Sequence, residues 1–288
     1  MSNSLTLDHI TEMMGELRAY LGRIVVIKIG GNSIAEDELF LSKICRQIVF
    51  LQHNGVQVIL VHGGGPQIDE ALYAKKIETA KGKDGRRITS PQAMNVIAQV
   101  MSAINRQVTS ALVKEGCPQD KIFSAAAHKR PLVTAESLDP DNNNRSGKPL
   151  KVTTAPIKQA LHAGKIIVLH SLGVGTDGKT LFNVNGDDYA MVVARAIKAK
   201  RLIMVTNVMG VLDKKGDRIP VLDPVAAKEL IQKGVISGGM IPKVESALSV
   251  VKQGVGAVVI IDGFRPWAIL AELMTRQGLG TLFRSRLS

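Results

Sequence analysis

Apolar and polar positions along the chain fall into blocks that predict strands alternating with helices. Short, nearly continuous apolar runs occupy residues 24–29, 56–61, 165–172, 201–208 and 257–262. Such runs, bounded by turn residues, are typical of strands buried on both faces of a parallel sheet. The alternation therefore predicts an α/β fold with a mainly parallel sheet covered by helices. The clearest lobe boundary falls near 175–182, which predicts one lobe over 23–180 and a second over 181–288.

The segments between these runs carry apolar residues at helical spacing. The longest segment is 91–115, where Pro91 stands in the first turn and Ser90 precedes it as a candidate N-cap. Further helices are predicted at 187–199 and around 223–233 and 242–252.

The N-terminal segment, residues 1–22, predicts a separate amphipathic helix over 5–21. It has no basic start followed by an apolar block, so we expect no secretory signal peptide. The apolar stripe either packs on the protein's own core or contacts another subunit. Its members are Leu7, Ile10, Met13, Met14, Leu17 and Leu21.

Composition excludes several classes of protein. Hydrophobic residues make up 45% of the 288 residues, so the chain can bury a sizeable core and disorder is not expected. No apolar run approaches the roughly 18–20 residues of a membrane span, and we expect no membrane contact. The two cysteines lack metal-ligand spacing, and reduced thiols in a cytoplasm are the simplest interpretation.

The net charge of +12 points to anionic ligands or to a solvated basic surface. Aromatic residues make up only 3% of the chain, and no basic cluster is interleaved with residues on which bases could stack. We therefore expect no nucleic-acid partner.

Two nucleotide-binding motifs have near matches that fail on inspection. The dinucleotide fingerprint read from Gly63 needs a third glycine where Ile68 stands. Residues 173–180 (GVGTDGKT) match the phosphate-loop pattern, but that mechanism requires a helix to begin at Lys179. The residues that follow are typical of strand and turn, so we predict a hairpin with its turn at TDGK.

Three glycine-rich strand or helix ends remain: 28–32 (KIGGN), 62–67 (HGGGPQ) and 237–243 (SGGMIPK). Glycine lets backbone amides approach an anion where parallel strands end. Lys28 stands in an otherwise apolar strand, which is costly unless an anion meets it. Two fixed ammonium groups, Lys28 and Lys243, together with amide-rich turns, suit phosphoryl transfer.

Each of these residues also has a purely structural interpretation. Lys28 could extend its ammonium group into solvent from an edge strand, and Gly63–Gly65 could form only a tight turn. Asp187 could simply cap the helix that follows it. Arg87 could be one more solvated charge in a basic loop.

Six motifs occur in the order and spacing of the amino acid kinase family, which the chain resembles from about Arg23 to Leu282. They are VVIKIGGN, VILVHGGGPQI, GRRIT, NVNGD, GVISGGMIPKV and IIDG…GLGT. The resemblance implies a three-layer αβα sandwich with an N-terminal lobe for a carboxylate substrate and a C-terminal lobe for MgATP. The motifs are most similar to members that phosphorylate the side-chain carboxylate of N-acetyl-L-glutamate in arginine biosynthesis, giving an acyl phosphate.

The resemblance also assigns roles. Lys28 and Lys243 would neutralise the transferring phosphoryl group, and Asp187 would orient them. Arg87 and Asn183 would hold the α-carboxylate of the acid. Backbone amides for the phosphoryl group and the attacking carboxylate would come from Gly31, Gly64 and Gly65. The expected ATP contacts are Gly30, Gly31, Thr206, Asn207, Gly210, Val211, Leu212, Val235, Ser237, Gly239 and Met240. The cofactor would be ATP with Mg²⁺, and no side chain is assigned as a metal ligand.

Several positions depart from the family pattern. Ser90 stands where aspartate is usual near the acid, and Asn207 replaces an aspartate near the nucleotide. These departures keep open a different acid, such as an N-acyl-aminoadipate or one borne on an acidic carrier protein, and also a non-catalytic sensor. The resemblance further implies a cytoplasmic homodimer or hexamer, with the N-terminal helix linking dimers, and leaves room for a regulatory protein partner.

Overall fold

The computed structural model describes residues 7–36, 38–82, 85–127 and 131–285. Its strands are β1 (Ile24–Ile29), β2 (Gln57–His62), β3 (Ile122–Ser124), β4 (Val133–Ser137), β5 (Ser146–Val152), β6 (Ile166–His170), β7 (Leu172–Val174), β8 (Leu181–Val184), β9 (Arg201–Thr206), β10 (Val221–Leu222), β11 (Val258–Asp262) and β12 (Thr281–Phe283). Its helices are α1 (Leu7–Arg18), α2 (Gly31–Glu36), α3 (Glu38–His53), α4 (Gly65–Ala74), α5 (Pro91–Lys114), α6 (Thr154–His162), α7 (Gly186–Ala196), α8 (Pro224–Gln232), α9 (Met240–Lys252) and α10 (Ala268–Met274). None of the helices in these ranges is long and apolar enough to cross a membrane.

Eight strands form one sheet in the order β10-β12-β11-β9-β1-β2-β6-β3. The pairs are parallel except β11 with β12. The strand β1 pairs with β2 on one side and with β9 on the other, so strands from both halves of the chain lie side by side. The remaining strands close a small barrel, β4-β5-β8-β7. The division into lobes at residue 180 stays a prediction.

Successive residues of β1 pack on opposite faces of the sheet. Val25 and Ile27 join a core formed with α3, α5 and α10, whereas Val26 joins a core formed with α6, α7 and α9. Because side chains alternate along a strand, Lys28 faces the same side as Val26, toward α7. Helices on both faces give the three-layer αβα sandwich that the sequence predicted.

The N-terminal helix is shorter than predicted. It covers Leu7–Arg18, a turn follows, and the predicted residues 5 and 6 lie outside the described part of the chain. Met13 and Leu17 pack against the core beside α10, whereas Leu7 and Met14 are exposed. One part of the apolar stripe is therefore covered by the protein's own core, and another part is not.

Residues 173–180 form the predicted hairpin. The strands β7 and β8 pair antiparallel around it. The Asp177 carboxylate accepts hydrogen bonds from the backbone amides of Lys179 and Thr180, which closes the turn. No helix begins at Lys179, so the phosphate-loop alternative is wrong.

The turns that follow β1 and β2 approach each other closely. A Cβ atom on Gly31 would lie 2.6 Å from the nitrogen of Gly65 and 2.7 Å from the Cα atom of Gly64. A Cβ atom on Gly30 would meet no heavy atom within 4 Å. The contact between the two turns therefore requires glycine at position 31 but not at position 30.

We expect Gly31→Ala to lower the free energy of unfolding by about 1–3 kcal/mol, because the added methyl group overlaps backbone atoms that cannot rotate away. The matched Gly30→Ala variant should change it by no more than about 0.5 kcal/mol. Equilibrium urea denaturation of both variants and the parent chain measures the difference. Equal stabilities of the two variants would contradict the close approach of the turns.

Candidate active site

A cleft of about 770 Å³ opens where β1, β2 and β9 end. Ligands of open α/β sheets bind at such ends, because strand-terminal amides and helix N-termini point there. The cleft brings together most of the residues singled out from the sequence. Those that line it are Lys28, Gly30, Gly31, Gly64, Gly65, Arg87, Asn183, Thr206, Asn207 and Lys243.

Lys28 forms an ion pair with Asp187 at the edge of this cleft. Its strand lies in the middle of the sheet, so the alternative of an edge-strand lysine extended into solvent is wrong. The Nζ atom of Lys28 lies 2.6 Å from Oδ1 of Asp187, and only 14% of the lysine side chain is exposed. The two residues are brought together by β1 and by the first turn of α7.

The carboxyl group of Asp187 is held in its charged form. Burial by itself would raise the pKa of Asp187, but the Lys28 ammonium, its hydrogen bond to the carboxylate and the charge of Lys243 outweigh that effect and lower the pKa. Asp187 is therefore ionised at neutral pH and interacts with both lysines. This arrangement can orient two ammonium groups toward one anion.

The N-cap of α7 is Asn185. Its Oδ1 atom accepts hydrogen bonds from the amides of Asp187 and Asp188, so the alternative that Asp187 serves only as a helix cap is wrong. At Gly186 an added Cβ atom would lie 3.3 Å from Cε of Lys28. The small residue at that position leaves the lysine stem room beside the helix.

The glycine turns present backbone amides to the cleft. The helix α4 begins at Gly65, and the first amides of a helix have no partner within it. The positive end of the helix dipole also favours an anion there. Gly63, Gly64 and Gly65 all line the cleft. They can donate to an anion as well as form a tight turn, and which role they play stays a prediction.

Arg87 lines the same cleft as Lys28. Only 8% of its side chain is exposed, and its Nη2 atom pairs with Asp69, so the alternative of a solvated surface charge is wrong. Its Nη1 atom donates to Oγ1 of Thr79 at 3.0 Å. A guanidinium group has five N–H donors, so donors remain for a carboxylate in the cleft.

Hydrogen bonds to neighbouring residues hold the loop that carries Arg87 in place. The hydroxyl of Ser146 donates to the backbone carbonyl of Arg87. The amide of Thr89 donates to Asn144, and the hydroxyl of Thr89 accepts from Nδ2 of Asn183 at 3.2 Å. These contacts tie the predicted substrate residues Arg87 and Asn183 into one unit.

Sequence reasoning missed four charged residues at the site. Asp69 pairs with Arg87 and with Lys81, and Arg86 pairs with Asp188 at 2.7 Å. The only sequence signal for two of them was their position in the chain, since Arg86 directly precedes Arg87 and Asp188 directly follows Asp187. The Arg86–Asp188 pair links the loop of Arg87 to the helix that carries Asp187.

The described lining of the cleft carries more positive than negative side chains, although Lys28 and Arg86 are paired with Asp187 and Asp188 just outside that lining. Asp69 is the only carboxylate side chain among the described lining residues. The cationic side chains are Lys28, Lys81, Arg86, Arg87 and Lys243. Such a surplus attracts anionic ligands and disfavours neutral or cationic ones.

The predicted nucleotide residues divide into two groups. Gly30, Gly31, Thr206 and Asn207 line the cleft. Val211 is buried, and its amide donates to Oγ1 of Thr281. Contacts of the second group with a nucleotide stay a prediction, since its members lie outside the described lining of this cleft: Gly210, Val211, Leu212, Val235, Ser237, Gly239 and Met240.

Fold and site together define the class of protein. A mainly parallel sheet ends in glycine-rich turns beside two lysines and an ionised aspartate, an arrangement that suits transfer of a phosphoryl group. The chain belongs to the amino acid kinase family, whose model matches residues 23–262.

Individual relatives agree with this assignment. Acetylglutamate kinase of Afipia carboxidovorans is 39% identical over 286 residues, which cover 95% of each chain. The structure of N-acetylglutamate synthase from Neisseria gonorrhoeae with coenzyme A and N-acetyl-glutamate superposes with a TM-score of 0.85 at 23% identity, over 99% of this chain and 65% of that one. Carbamate kinase from Giardia lamblia bound to AMP-PNP gives a TM-score of 0.68 at 18% identity, over 92% of this chain and 99% of that one. The two structures show the fold alone.

We expect Asp187→Asn to lower the free energy of unfolding at pH 7 by about 1–3 kcal/mol, because it leaves a largely buried lysine without its counter-charge. The folded pKa of Asp187 is lowered, so its stabilising contribution is present above the unfolded pKa of about 3.9 and is lost as the pH falls through the folded value. The difference between parent and variant should therefore be constant from about pH 8 to 5 and shrink below about pH 4. Urea denaturation at a series of pH values measures it.

The matched control is Asp188→Asn, whose ion pair with Arg86 is more exposed. It should cost less than about 1 kcal/mol. A difference for Asp187→Asn that already shrinks between pH 7 and 5 would mean that the folded pKa is raised, and would contradict the assignment.

Proposed function

We propose that this protein transfers the γ-phosphoryl group of ATP to the side-chain carboxylate of N-acetyl-L-glutamate, giving an acyl phosphate and ADP. The observation that carries the proposal is the Lys28–Asp187 pair, which fixes an ammonium group beside glycine-rich turns in an electropositive cleft. The name of the relative that is 39% identical supports the choice of acid. The activity belongs to arginine biosynthesis.

The reaction needs no general base, because a glutamate side chain with a pKa of about 4.3 is already ionised at neutral pH. A carboxylate oxygen attacks the γ-phosphorus, the bond to the bridging oxygen breaks, and ADP leaves with the electron pair. The negative charge on the transferring group is met by Lys28, Lys243 and the amides of Gly31 and Gly64. Asp187 keeps the lysines in place.

The acid and the nucleotide approach from different sides of the cleft. Arg87 and Asn183 hold the α-carboxylate of the acid, and Thr206 and Asn207 begin the nucleotide side, which continues through residues 210–212 and 235–240. Mg²⁺ would accompany ATP and would neutralise part of the charge on its phosphate groups. Among the described residues, no group of three or more His, Cys, Asp or Glu side chains is arranged to hold a metal ion.

Other acids and a non-catalytic sensor are not favoured. A sensor would be free to lose Lys28, Asp187 or Lys243, and the chain keeps all three. Ser90, which departs from the family pattern near the acid, serves as the N-cap of α5 by accepting from the amide of Ala93. Assembly as a homodimer or hexamer, a regulatory partner and a cytoplasmic location stay predictions.

We expect the parent chain to form an acyl phosphate from MgATP and N-acetyl-L-glutamate, trapped as the hydroxamate. Lys28→Ala should lower kcat by about 10²-fold or more, because charge stabilisation of the transferring group is lost. The matched control is Lys179→Ala, which removes an exposed lysine of the hairpin and should leave kcat unchanged. Absence of hydroxamate from the parent chain, with ATP bound, would overturn the choice of acid.

Arg87→Met should raise KM for the acid by about 10-fold or more, because a bidentate carboxylate partner is lost. KM for ATP should change little. Lys75→Met removes the same charge from an exposed position at the end of α4 and serves as the control. Steady-state kinetics with each substrate varied separate the two effects, and equal rises in both KM values would contradict the proposed role of Arg87.

A further inference from the structure

A buried hydrogen-bonded network lies directly beneath the glycine turn that follows β2. Its centre is Asn105 on α5, whose Nδ2 atom lies 3.0 Å from Nε2 of His62. The other ring nitrogen of His62, Nδ1, lies 3.1 Å from the carbonyl oxygen of Gly63. Both side chains are completely buried, and the roles assigned above give them no part in the reaction.

The backbone around Asn105 fixes which way its amide group points. Its Oδ1 atom accepts from the amide of Ala126 and from the hydroxyl of Ser124. Its Nδ2 atom donates to the carbonyl of Val168 at 3.3 Å. A backbone N–H can only donate and a carbonyl can only accept, so the amide orientation is determined from two sides.

That orientation determines the tautomer of His62. The second hydrogen on Nδ2 of Asn105 points at Nε2 of the ring, which must therefore accept. The ring proton is then on Nδ1, where it is donated to the carbonyl oxygen of Gly63. His62 is thus a neutral imidazole that connects Asn105 to the glycine turn.

The ring stays neutral through the physiological range. Burial is the main cause that lowers the pKa of His62 to about 3; the hydrogen bond to Gly63 opposes it, and the nearby His170 on the neighbouring strand adds a smaller lowering effect. His170 is the residue of β6 that pairs with His62 of β2, and the two ring centroids lie 6.5 Å apart. Protonation would also place an Nε2–H donor against the donor of Asn105.

The hydrogen bond from His62 to the carbonyl oxygen of Gly63 also determines where the N–H of Gly64 points, because both groups belong to the Gly63–Gly64 peptide. A trans peptide is planar, and its C=O and N–H bonds point in opposite directions. With the carbonyl of Gly63 directed into the core, the N–H of Gly64 is directed away from it, toward the cleft that Gly64 lines. Among the described residues, no backbone carbonyl accepts from that N–H.

The residues on either side of this peptide are held at two further points. The amide of Gly63 donates to the carbonyl of Ile29 at 3.1 Å. A Cβ atom on Gly64 would lie 2.6 Å from Cδ1 of Ile104 and 2.9 Å from Sδ of Met101, so α5 lies directly against this glycine. The helix that carries Asn105 therefore also packs directly against the glycine turn.

We propose that His62 and Asn105 are positioning residues that aim the N–H of Gly64 at an oxygen of the reacting phosphoryl or carboxylate group. The inference rests on the proposed function, since it assigns a source to one of the amide donors of the reaction. Neither side chain touches substrate. They act through the orientation of one peptide.

The first test compares two variants of one residue. His62→Phe keeps an aromatic ring but removes the donor to Gly63, whereas His62→Asn can present an Nδ2–H close to where the histidine Nδ1–H was. We expect His62→Phe to lower kcat by about 10-fold to 10²-fold, approaching the loss of one amide donor, with KM for ATP changed less than threefold. His62→Asn should recover most of kcat. Equal losses of kcat in both variants, or a loss confined to thermal stability, would overturn the proposal.

The second test does not depend on activity. The ¹⁵N resonances of histidine in the full parent chain report which ring nitrogen carries the proton. We expect the Nδ1–H tautomer for His62 and no titration between pH 5 and 8. An Nε2–H tautomer or a titration in that range would overturn the proposal, even if His62→Phe failed to fold. An inactive parent chain would instead mean that the proposed function fails, and the tautomer would still be measured.

Discussion

The constraint on which the structure depends is the placement of a lysine ammonium group in the central strand of the sheet. Removing such a charge from water costs free energy unless a counter-charge and hydrogen bonds compensate for the lost solvation. Asp187 supplies the counter-charge, and its position follows from Asn185, which starts α7 two residues earlier. The first turn of α7 must therefore lie against the end of β1, which brings the later part of the chain beside the earlier part.

The two sides of the cleft are built by different physical means. Where the phosphoryl group is proposed to bind, Lys28 and the glycine turns stand at the ends of buried strands, and the rigid sheet fixes them. Where the acid is proposed to bind, Arg87 stands in a loop, and hydrogen bonds from Ser146 and through Thr89 take the place of a strand. A loop pinned by polar contacts can vary in sequence more easily than a strand end. The positions that depart from the family pattern near the acid fit this difference.

Local patterns predicted the parts of the fold whose burial is uniform. Strands such as β1 and β2 are buried on both faces, so their sequence is continuously apolar and easy to recognise. The barrel strands β4 and β5 escaped prediction because they are partly exposed, with a register shift after Thr134 and a proline in β5. The N-terminal helix ended early because its last predicted turn packs as an irregular turn around Tyr20.

The sequence by itself determined the α/β class, the glycine-rich turns and the residue types that can meet a phosphoryl group, because periodicity and turn chemistry are local properties. Only the tertiary structure decided which charges pair. Asp187 forms an ion pair with Lys28, Asp69 with Arg87, and Asp188 with Arg86. The sequence alone allowed Asp187 to be a helix cap and Arg87 to be a solvated charge. Pairs such as Lys28 with Asp187 join residues far apart in the chain. A sequence states their charges but not their separation, which depends on strand order and on which helices cover each face.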